Sequence, residues 1–241
     1  MSRSLSGSHG NSVVGRSDER LKTAARSKPV RPLCGAPQWA PLIVLCAAVL
    51  VALLVVPAAL AVRVHVRVEG KTRNIFGPTA PLVDVNANAL DALESASALG
   101  EFYYHVTASS FGPYVDQVGL FPAVGQTGWV FKLNGASPPV GADKAVLKDG
   151  DTVLWYWAQF GIAGGPKTLV LARVGKSNCY RVQAQDDNGA RTAALGAVLH
   201  VGRRDVRTQG ATQGAVGCVG AHRGLLVRAT LGGAVRSNAL A

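Results

Sequence analysis

Residues 150–160, with the sequence GDTVLWYWAQF, form a predicted β-strand that is apolar on both faces. Side chains alternate along a strand, so Trp155 and Trp157 point to one face and Tyr156 points to the other. Such a strand is either central and covered by protein on both sides, or it offers part of one face as a stacking surface for a ligand. The strand therefore constrains the fold more than any other feature of the sequence.

A second constraint is the uncharged run PLIVLCAAVLVALLVVPAALA at residues 41–61. A membrane-spanning helix needs about 20 such residues, and the core of a signal peptide needs about 7–15. Pro57 interrupts the run, and the small residues at its end predict cleavage by a signal peptidase after Ala61. The alternative is a transmembrane helix that is retained and anchors the protein in the membrane.

Residues 1–40, which precede this run, are rich in Ser, Gly, Arg and Lys and predict a disordered basic leader. Lys28 and Arg31 lie just before the run, and basic residues at that position keep the N-terminus in the cytoplasm. A cleaved signal peptide and a retained transmembrane helix therefore both predict an extracytoplasmic protein of the cell envelope. It is either secreted or anchored with its C-terminus outside.

Charge is distributed unevenly along the chain. The net charge of +11 divides into +5 for residues 1–40, −1 for residues 62–167 and +7 for residues 168–241. Because the basic surplus lies at the two ends, we expect no nucleic-acid partner. Arg203, Arg204 and Arg207 form a candidate basic patch for an anionic envelope polymer, and the alternative is that they are ordinary solvated side chains.

Cysteine usage agrees with export. Cys34 and Cys46 lie in the leader and the apolar run, which leaves Cys179 and Cys218 as one pair in the exported part. An even number of cysteines outside the cytoplasm favours a disulfide, and two free buried thiols are the alternative.

Residues 62–160 predict an α+β domain. The segment VRVHVRVE at 62–69 alternates valines with charged or imidazole side chains, as a half-buried strand does. A helix follows within residues 85–100, with Leu90, Leu93 and Leu99 at roughly helical spacing and Gly100 as its stop. Later strands are separated by turns at Asn134-Gly135 and at residues 148–151.

Three motifs in this region carry a family resemblance: Gly112-x-Tyr114-Val115-x-x-Val118-Gly119, Trp129-x-Phe131-x-Leu133-Asn134-Gly135 and Gly150-Asp151-x-Val153-x-Trp155. In this order they resemble a bacterial domain-of-unknown-function family that is similar to the C-terminal domain of transcobalamin. The resemblance covers residues 62–160 and implies a β-grasp-like fold, a small sheet wrapped around one helix, related to ligand-binding modules. It makes a corrinoid one candidate ligand.

Residues 161–167 form a predicted Gly-rich linker, and residues 168–241 predict a small all-β sandwich. Alternating segments recur at short intervals, and Asp187-Asn188-Gly189 suits a hairpin between two of them. This part of the chain resembles immunoglobulin-like or transthyretin-like surface modules. The predicted strands are TLVLARV, CYRVQAQ, AVLHVG, DVRTQG, LLVRAT and AVRSNAL.

The sequence contains no motif typical of a hydrolase, a zinc protease, a phosphate-binding loop or a dinucleotide-binding fold. We therefore expect a non-catalytic binding protein without a cofactor or a metal. Its ligand or envelope partner would contact Tyr114, Asn134, Trp155 and Tyr156, where Tyr114 and Tyr156 form a partly exposed platform and Asn134 adds a polar group. The alternative is a structural or adhesive cell-surface protein whose aromatic residues all belong to the core.

Overall fold

The computed structural model describes residues 61–110, 112–162, 164–210 and 214–241. The predictions for the leader and for residues 41–60 of the apolar run lie outside these ranges. The described residues all belong to one compact unit, Ala58–Ala241. In the ranges described, no helix has both the length and the apolar composition needed to cross a membrane.

A central mixed sheet organises the first half of this unit. Its five strands are β1 (Val62–Glu69), β2 (Asn74–Phe76), β3 (Leu82–Val85), β7 (Thr127–Leu133) and β8 (Thr152–Gln159). They follow the order β2-β1-β8-β7, and β3 also pairs with β1. β1 and β8 run parallel in the middle of the sheet, and the other pairs are antiparallel.

One helix, α1 (Ala89–Gly100), packs on the first face of this sheet. Asn88 caps it by accepting from the backbone of Asp91, whose side chain reciprocates, and Glu101 ends it in a left-handed conformation. The predicted helix is confirmed. Leu93 is buried in the core, but Leu99 is exposed because it lies on the solvent side of the helix.

A hairpin sheet of three short strands, β4 (Tyr104–Ser109), β5 (Gly112–Val118) and β6 (Phe121–Pro122), completes this first lobe, which comprises β1–β8 and α1. The predicted turn at Asn134 and Gly135 is confirmed, because both residues have positive φ angles, of 52° and 89°. This conformation is the one that Asn-Gly sequences favour.

The second lobe contains the remaining strands and ends in a C-terminal segment, residues 231–241. Its two sheets enclose a separate apolar core, so a β-rich sandwich describes it well. One sheet contains β9 (Thr168–Arg173), β10 (Cys179–Gln185), β11 (Arg191–Ala193) and β14 (Ala215–Cys218), and the other contains β12 (Val198–Val201), β13 (Arg204–Arg207) and β15 (Val227–Thr230).

The predicted disulfide is present. Cys179 and Cys218 are bonded and occupy directly paired positions on β10 and β14. The bond therefore closes a loop that contains β11, β12 and β13.

The predicted strand AVRSNAL is wrong. Residues 234–240 form only isolated bridges, at Val235 and Leu240, because this segment bonds to several elements in turn. Val235 donates its N–H to the Lys167 carbonyl over 2.9 Å, and Ala239 donates its N–H to the Pro78 carbonyl over 2.7 Å. The segment thus joins the two lobes instead of extending a sheet.

Strand β8 is covered by protein on both faces. Trp155 packs in the core beneath α1, and Trp157 on the same face is partly buried against that core, whereas Tyr156 packs in a cluster with Val235 of the C-terminal segment. The expectation that Tyr156 is partly exposed is therefore wrong, since only 2% of it is accessible. The second lobe covers the face that sequence alone leaves open.

The polar face of β1 is also buried toward its C-terminal end, where the alternating pattern predicts a solvent-facing side. Arg67 and Glu69 lie under the second lobe, and Glu69 is completely inaccessible. Glu69 accepts hydrogen bonds from Arg67 Nη1, from Arg228 of β15 and from Arg236 of the C-terminal segment. Arg67 and Glu69 therefore face the other lobe and not solvent, whereas Arg63 near the start of the strand is exposed.

Candidate functional site

An aromatic pocket of about 380 Å³ opens between β5, β7, β8 and the segment 137–142. Aromatic rings dominate its lining, and Ser137 and Asp187 add polar groups. We call this site the aromatic pocket; its rings belong to Tyr114, Trp129, Phe131, Trp155, Tyr156 and Phe160.

The rings divide into an accessible rim and a buried floor. Tyr114 is 40% exposed and Phe160 is 38% exposed, so both present ring surface to solvent. Trp155 and Tyr156 are each 2% exposed and form part of the floor. The rim rings therefore offer accessible surface on which a ligand could stack, whereas the floor rings offer very little.

The position of Tyr114 depends on a glycine in the neighbouring strand. A β-carbon built on Gly128 of β7 would collide with the Tyr114 hydroxyl. The absence of a side chain at this position lets the tyrosine lie closely across the edge of β7.

The polar atoms of the floor are committed to the fold. Trp155 donates from Nε1 to the Ala89 carbonyl over 3.0 Å. Burial raises the pKa of Tyr156, and the nearby Asp187 carboxylate raises it further, so the phenol stays protonated. Neither residue offers a titrating group for acid–base chemistry near neutral pH.

Asp187 is the acidic group at the rim of the aromatic pocket. Its side chain is 49% exposed and lies 3.4 Å from Lys132 Nζ, while Ser137 donates from its hydroxyl to the same carboxylate oxygen over 3.3 Å. Asp187 can therefore accept a hydrogen bond from a ligand at the edge of the apolar surface.

Three of the four residues predicted to bind a ligand line this one pocket: Tyr114, Trp155 and Tyr156. Asn134 lies elsewhere. Its Nδ2 donates to Asp151 over 2.8 Å, and its Oδ1 accepts from the Thr152 backbone over 2.9 Å. These bonds hold the turn at Asn134 against the start of β8. Asn134 lines a separate pocket between the lobes.

Sequence reasoning missed Phe160, Val140 and Asp187 as lining residues. Phe160 ends the same aromatic run as Trp155, which is a signal that could have identified it. Val140 follows two prolines in a short apolar loop, and nothing in the sequence indicates that this loop reaches β5 or β8. Asp187 comes from the second lobe, and only the packing of the two lobes brings it to the pocket.

Two further predictions concern other surfaces. Arg203, Arg204 and Arg207 are exposed, and Arg204 donates to the Ala221 carbonyl over 2.8 Å, so the basic patch remains a prediction. Within the described ranges, no group of three or more His, Cys, Asp or Glu side chains is placed to hold a metal ion.

Fold and pocket together define a β-rich protein with an aromatic concavity of small-molecule size. Residues 86–159 match the family described as Domain of unknown function (DUF4430). This match confirms the family resemblance predicted from the three motifs, and it falls inside the predicted range of 62–160. No curated protein matches the chain.

Two solved structures are similar to part of the chain. Haptocorrin in complex with Cbi matches 42% of this chain at 20% identity with a TM-score of 0.36, and the match spans 25% of the haptocorrin chain. A candidate metal binding protein from Ruminococcus gnavus matches 42% of this chain and 99% of its own, at 16% identity with a TM-score of 0.34.

Proposed function

We propose that the protein is a non-catalytic binding module whose aromatic pocket takes an apolar, ring-containing ligand. The observation that carries this proposal is the pair of exposed rings, Tyr114 and Phe160, beside a concavity of about 380 Å³. Pockets for small molecules have volumes of roughly 300–1,000 Å³ and are lined mainly by apolar and aromatic side chains with a few polar groups. Asp187 provides such a polar group here.

The ligand is a small ring system or one edge of a larger molecule. A corrinoid is larger than this pocket, so the pocket would contact only part of its periphery. An aromatic or sugar ring would pack on Tyr114 or on Phe160, and stacking of an aromatic ring there contributes about 0.5–1.5 kcal/mol per pair.

We assign the first lobe to the β-grasp-like folds and the second to the immunoglobulin-like sandwiches. Support for the first assignment comes from the parallel pair β1–β8 in the middle of a sheet that carries one helix. The corresponding domain boundaries are residues 62–160 and 168–241, joined by a linker at 161–167. The buried contacts between the lobes indicate that the two would move as one body.

We further propose that the protein is exported. The uncharged run at 41–61 and the Cys179–Cys218 disulfide support this location, since disulfides persist mainly outside the cytoplasm. Cell fractionation with protease shaving tests it, and N-terminal sequencing of the released chain decides between cleavage after Ala61 and a retained anchor. A fragment from Val62 onward that stays cytosolic and protected from protease would contradict export.

A structural or adhesive role is the second candidate. Trp155 and Tyr156, two of the four residues predicted to contact a ligand, are buried as core residues are. If Tyr114 and Phe160 also served only packing, the pocket would bind nothing.

A ligand screen on the full chain separates the two functions. A panel of corrinoids, glycans and peptides is tested by tryptophan fluorescence and by thermal shift. We expect saturable binding that Tyr114→Ala weakens by about tenfold, the loss of one good aromatic contact. The matched control is Tyr103→Ala, because Tyr103 is 58% exposed and lies outside the pocket. Absence of saturable binding, or equal weakening by both variants, would favour the structural role.

A further inference from the structure

A second pocket, of about 440 Å³, lies between the central sheet and the sheet of β9, β10 and β11. We call it the interlobe pocket. Unlike the aromatic pocket, its lining contains no aromatic ring other than the imidazole of His65. It is rich instead in cations, hydroxyls and amides, and the residues used below are His65, Arg67, Thr79, Lys132, Thr152 and Arg191.

Strand register places two of the cations in one row. Leu154 of β8 is paired with Arg67 of β1 on one side and with Lys132 of β7 on the other. Paired residues point to the same face of a sheet, and neighbouring strands lie about 4.8 Å apart, so the backbones of Arg67 and Lys132 are separated by about 10 Å. His65 and Thr152 are paired in the next row and lie on the same face. The second lobe closes the pocket from the opposite side with Arg191.

The lining carries positive charge without a lining carboxylate. Arg67, Lys132 and Arg191 contribute three cations, and no Asp or Glu lines the interlobe pocket. Glu69 contacts Arg67 from outside the pocket, but this single carboxylate is shared with Arg228 and Arg236. The cluster therefore retains a surplus of positive charge next to the pocket.

The partners of Lys132 show what this residue can contribute. It is fully buried, and its Nζ donates to the carbonyls of Gln185 and Asp186 over 3.2 and 2.7 Å and to the Thr168 hydroxyl over 3.3 Å. An ammonium has three protons, so these bonds use all of its donors. Asp187 lies 3.4 Å away but is half exposed, which weakens its effect. Lys132 therefore supplies positive potential and no free donor.

Arg67 and Arg191 do have donors to spare. Arg67 uses only Nη1, which donates to the Arg236 carbonyl over 2.9 Å and to Glu69 over 3.4 Å. Its Nε and Nη2, and the guanidinium of Arg191, make no hydrogen bond to other residues of the part of the chain that the structure describes. The hydroxyls of Thr79 and Thr152 likewise have no hydrogen-bond partner among those residues.

Because Arg67 and Lys132 are buried, both would interact favourably with an anion. Desolvation lowers the pKa of Arg67 to about 10, although Glu69 opposes the effect, and desolvation likewise lowers the pKa of Lys132, opposed mainly by Asp187. Arg67 is still charged at neutral pH, and a buried charge gains more from a partner than an exposed one does.

We propose that the interlobe pocket binds a small oxyanion, held by the free guanidinium nitrogens of Arg67 and Arg191 and by the hydroxyls of Thr79 and Thr152. Carboxylates are planar and phosphates are tetrahedral, but both present a pair of oxygens. A guanidinium group can bind such a pair with two parallel hydrogen bonds. The ligand would contact strands of both lobes and so would stabilise their association. The two pockets share no lining residue, although Lys132 of this one contacts Asp187 of the aromatic pocket, and the proposal does not require a ligand in the aromatic pocket.

The test is calorimetric titration of the full chain with inorganic phosphate and with citrate, at constant ionic strength. We expect saturable binding of at least one of them, and the stronger of the two identifies phosphate or carboxylate as the preferred group. Arg191→Gln should weaken it by about tenfold, the value of one charge-assisted hydrogen bond. Arg191 is exposed and lies at the pocket mouth, so this variant is expected to fold.

Arg207→Gln is the matched control, because Arg207 is an exposed strand arginine outside the pocket. It should leave the affinity unchanged. A second variant, Thr152→Val, removes one hydroxyl without changing the charge and should weaken binding about fivefold. Absence of saturable binding of either anion would overturn the proposal. So would equal weakening by Arg191→Gln and Arg207→Gln, since it would show binding to the basic surface in general.

Discussion

Arg236 donates from Nε to Oε2 of Glu69 over 3.0 Å, although the two residues lie 167 positions apart in the sequence. Glu69 is on β1 of the first lobe, and Arg236 is in the C-terminal segment at the end of the second lobe. Arg228 of β15 and Arg67 of β1 donate to the same carboxylate. This buried cluster therefore joins the beginning and the end of the described chain.

Replacing Glu69 should destabilise the whole unit. Glu69→Gln keeps the volume but leaves Arg67, Arg228 and Arg236 without their shared anion. Removing one partner of a buried ion pair costs about 3–5 kcal/mol in the free energy of unfolding. Denaturant unfolding of the full chain measures this loss.

Glu94→Gln on the exposed side of α1 is the matched control for Glu69→Gln and should change stability by less than about 0.5 kcal/mol. Equal stability of the two variants would show that the Glu69 cluster does not hold the lobes together. A Glu69→Gln chain in which one lobe unfolds early and the other keeps its stability would contradict their behaviour as one unit.

Local patterns predicted α1 and the Asn134-Gly135 turn correctly, because a capped amphipathic helix and a tight turn are determined by neighbouring residues. The burial of Arg67 and Glu69 on β1 could not be predicted, because it depends on residues that are distant in the sequence. Arg67 and Glu69 alternate with valines as surface residues do, and only the distant Arg228 and Arg236 make their burial tolerable. Such compensation has no local signature in the sequence.

The disulfide should contribute strongly to the stability of the second lobe. Cys179 and Cys218 are separated by 39 positions, and closing a loop of this length stabilises the native state by about 4 kcal/mol on the chain-entropy model. A Cys179→Ser/Cys218→Ser chain should lose roughly this amount in thermal or denaturant unfolding.

Reductant serves as the internal control for the disulfide. It should lower the stability of the wild-type chain and leave the double serine variant unchanged. Two thiols that react with an alkylating reagent in the native protein would contradict the pairing of Cys179 with Cys218.

Asp116 should titrate at an unusually low pH. The Thr107 hydroxyl donates to its carboxylate and lowers its pKa below the ordinary value of 3.8, and His105 adds a contact at 2.7 Å. Because the folded-state pKa is depressed, the associated stability is present above pH 3.8 and is lost as the pH falls through the folded-state value.

Carboxyl-carbon NMR titration measures this pKa directly. Thr107→Val removes the hydroxyl and should move the pKa of Asp116 upward, whereas Thr107→Ser retains a donor and should preserve most of the shift. If Asp116 titrates identically with Val and with Thr at position 107, the hydroxyl is not the cause.

Gly128 should control the placement of Tyr114. A methyl group from Gly128→Ala would meet the Tyr114 hydroxyl, which lies at the end of a movable side chain. We expect a displaced tyrosine ring with a stability change below about 1 kcal/mol, since alanine suits a strand better than glycine does.

Chemical shifts of the Tyr114 ring report the displacement caused by Gly128→Ala. Gly161→Ala is a suitable control, because a β-carbon there meets no atom within 4 Å. Unchanged Tyr114 signals in the Gly128→Ala chain would show that the ring does not lie across β7.

Of the aromatic pocket, the sequence identified Trp155 and Tyr156, which belong to a conspicuous aromatic run, and Tyr114, which belongs to one of the three motifs. It did not predict which rings are accessible. Tyr156 is buried in a cluster to which the distant Val235 contributes, and the amide of Asn134 is hydrogen-bonded to Asp151 and to the Thr152 backbone. Exposure of a strand residue depends on what covers the sheet, and that is determined by long-range packing.

The most direct test of the proposed binding function is the location of the ligand. The full chain, labelled on its tyrosine and phenylalanine rings, is titrated by NMR with the strongest ligand of the corrinoid, glycan and peptide panel. Our account predicts that the signals of Tyr114 and Phe160 shift in a saturable manner while those of Tyr103 stay in place. Ring signals that shift at Tyr103 or in the second lobe, with Tyr114 and Phe160 unmoved, would contradict it.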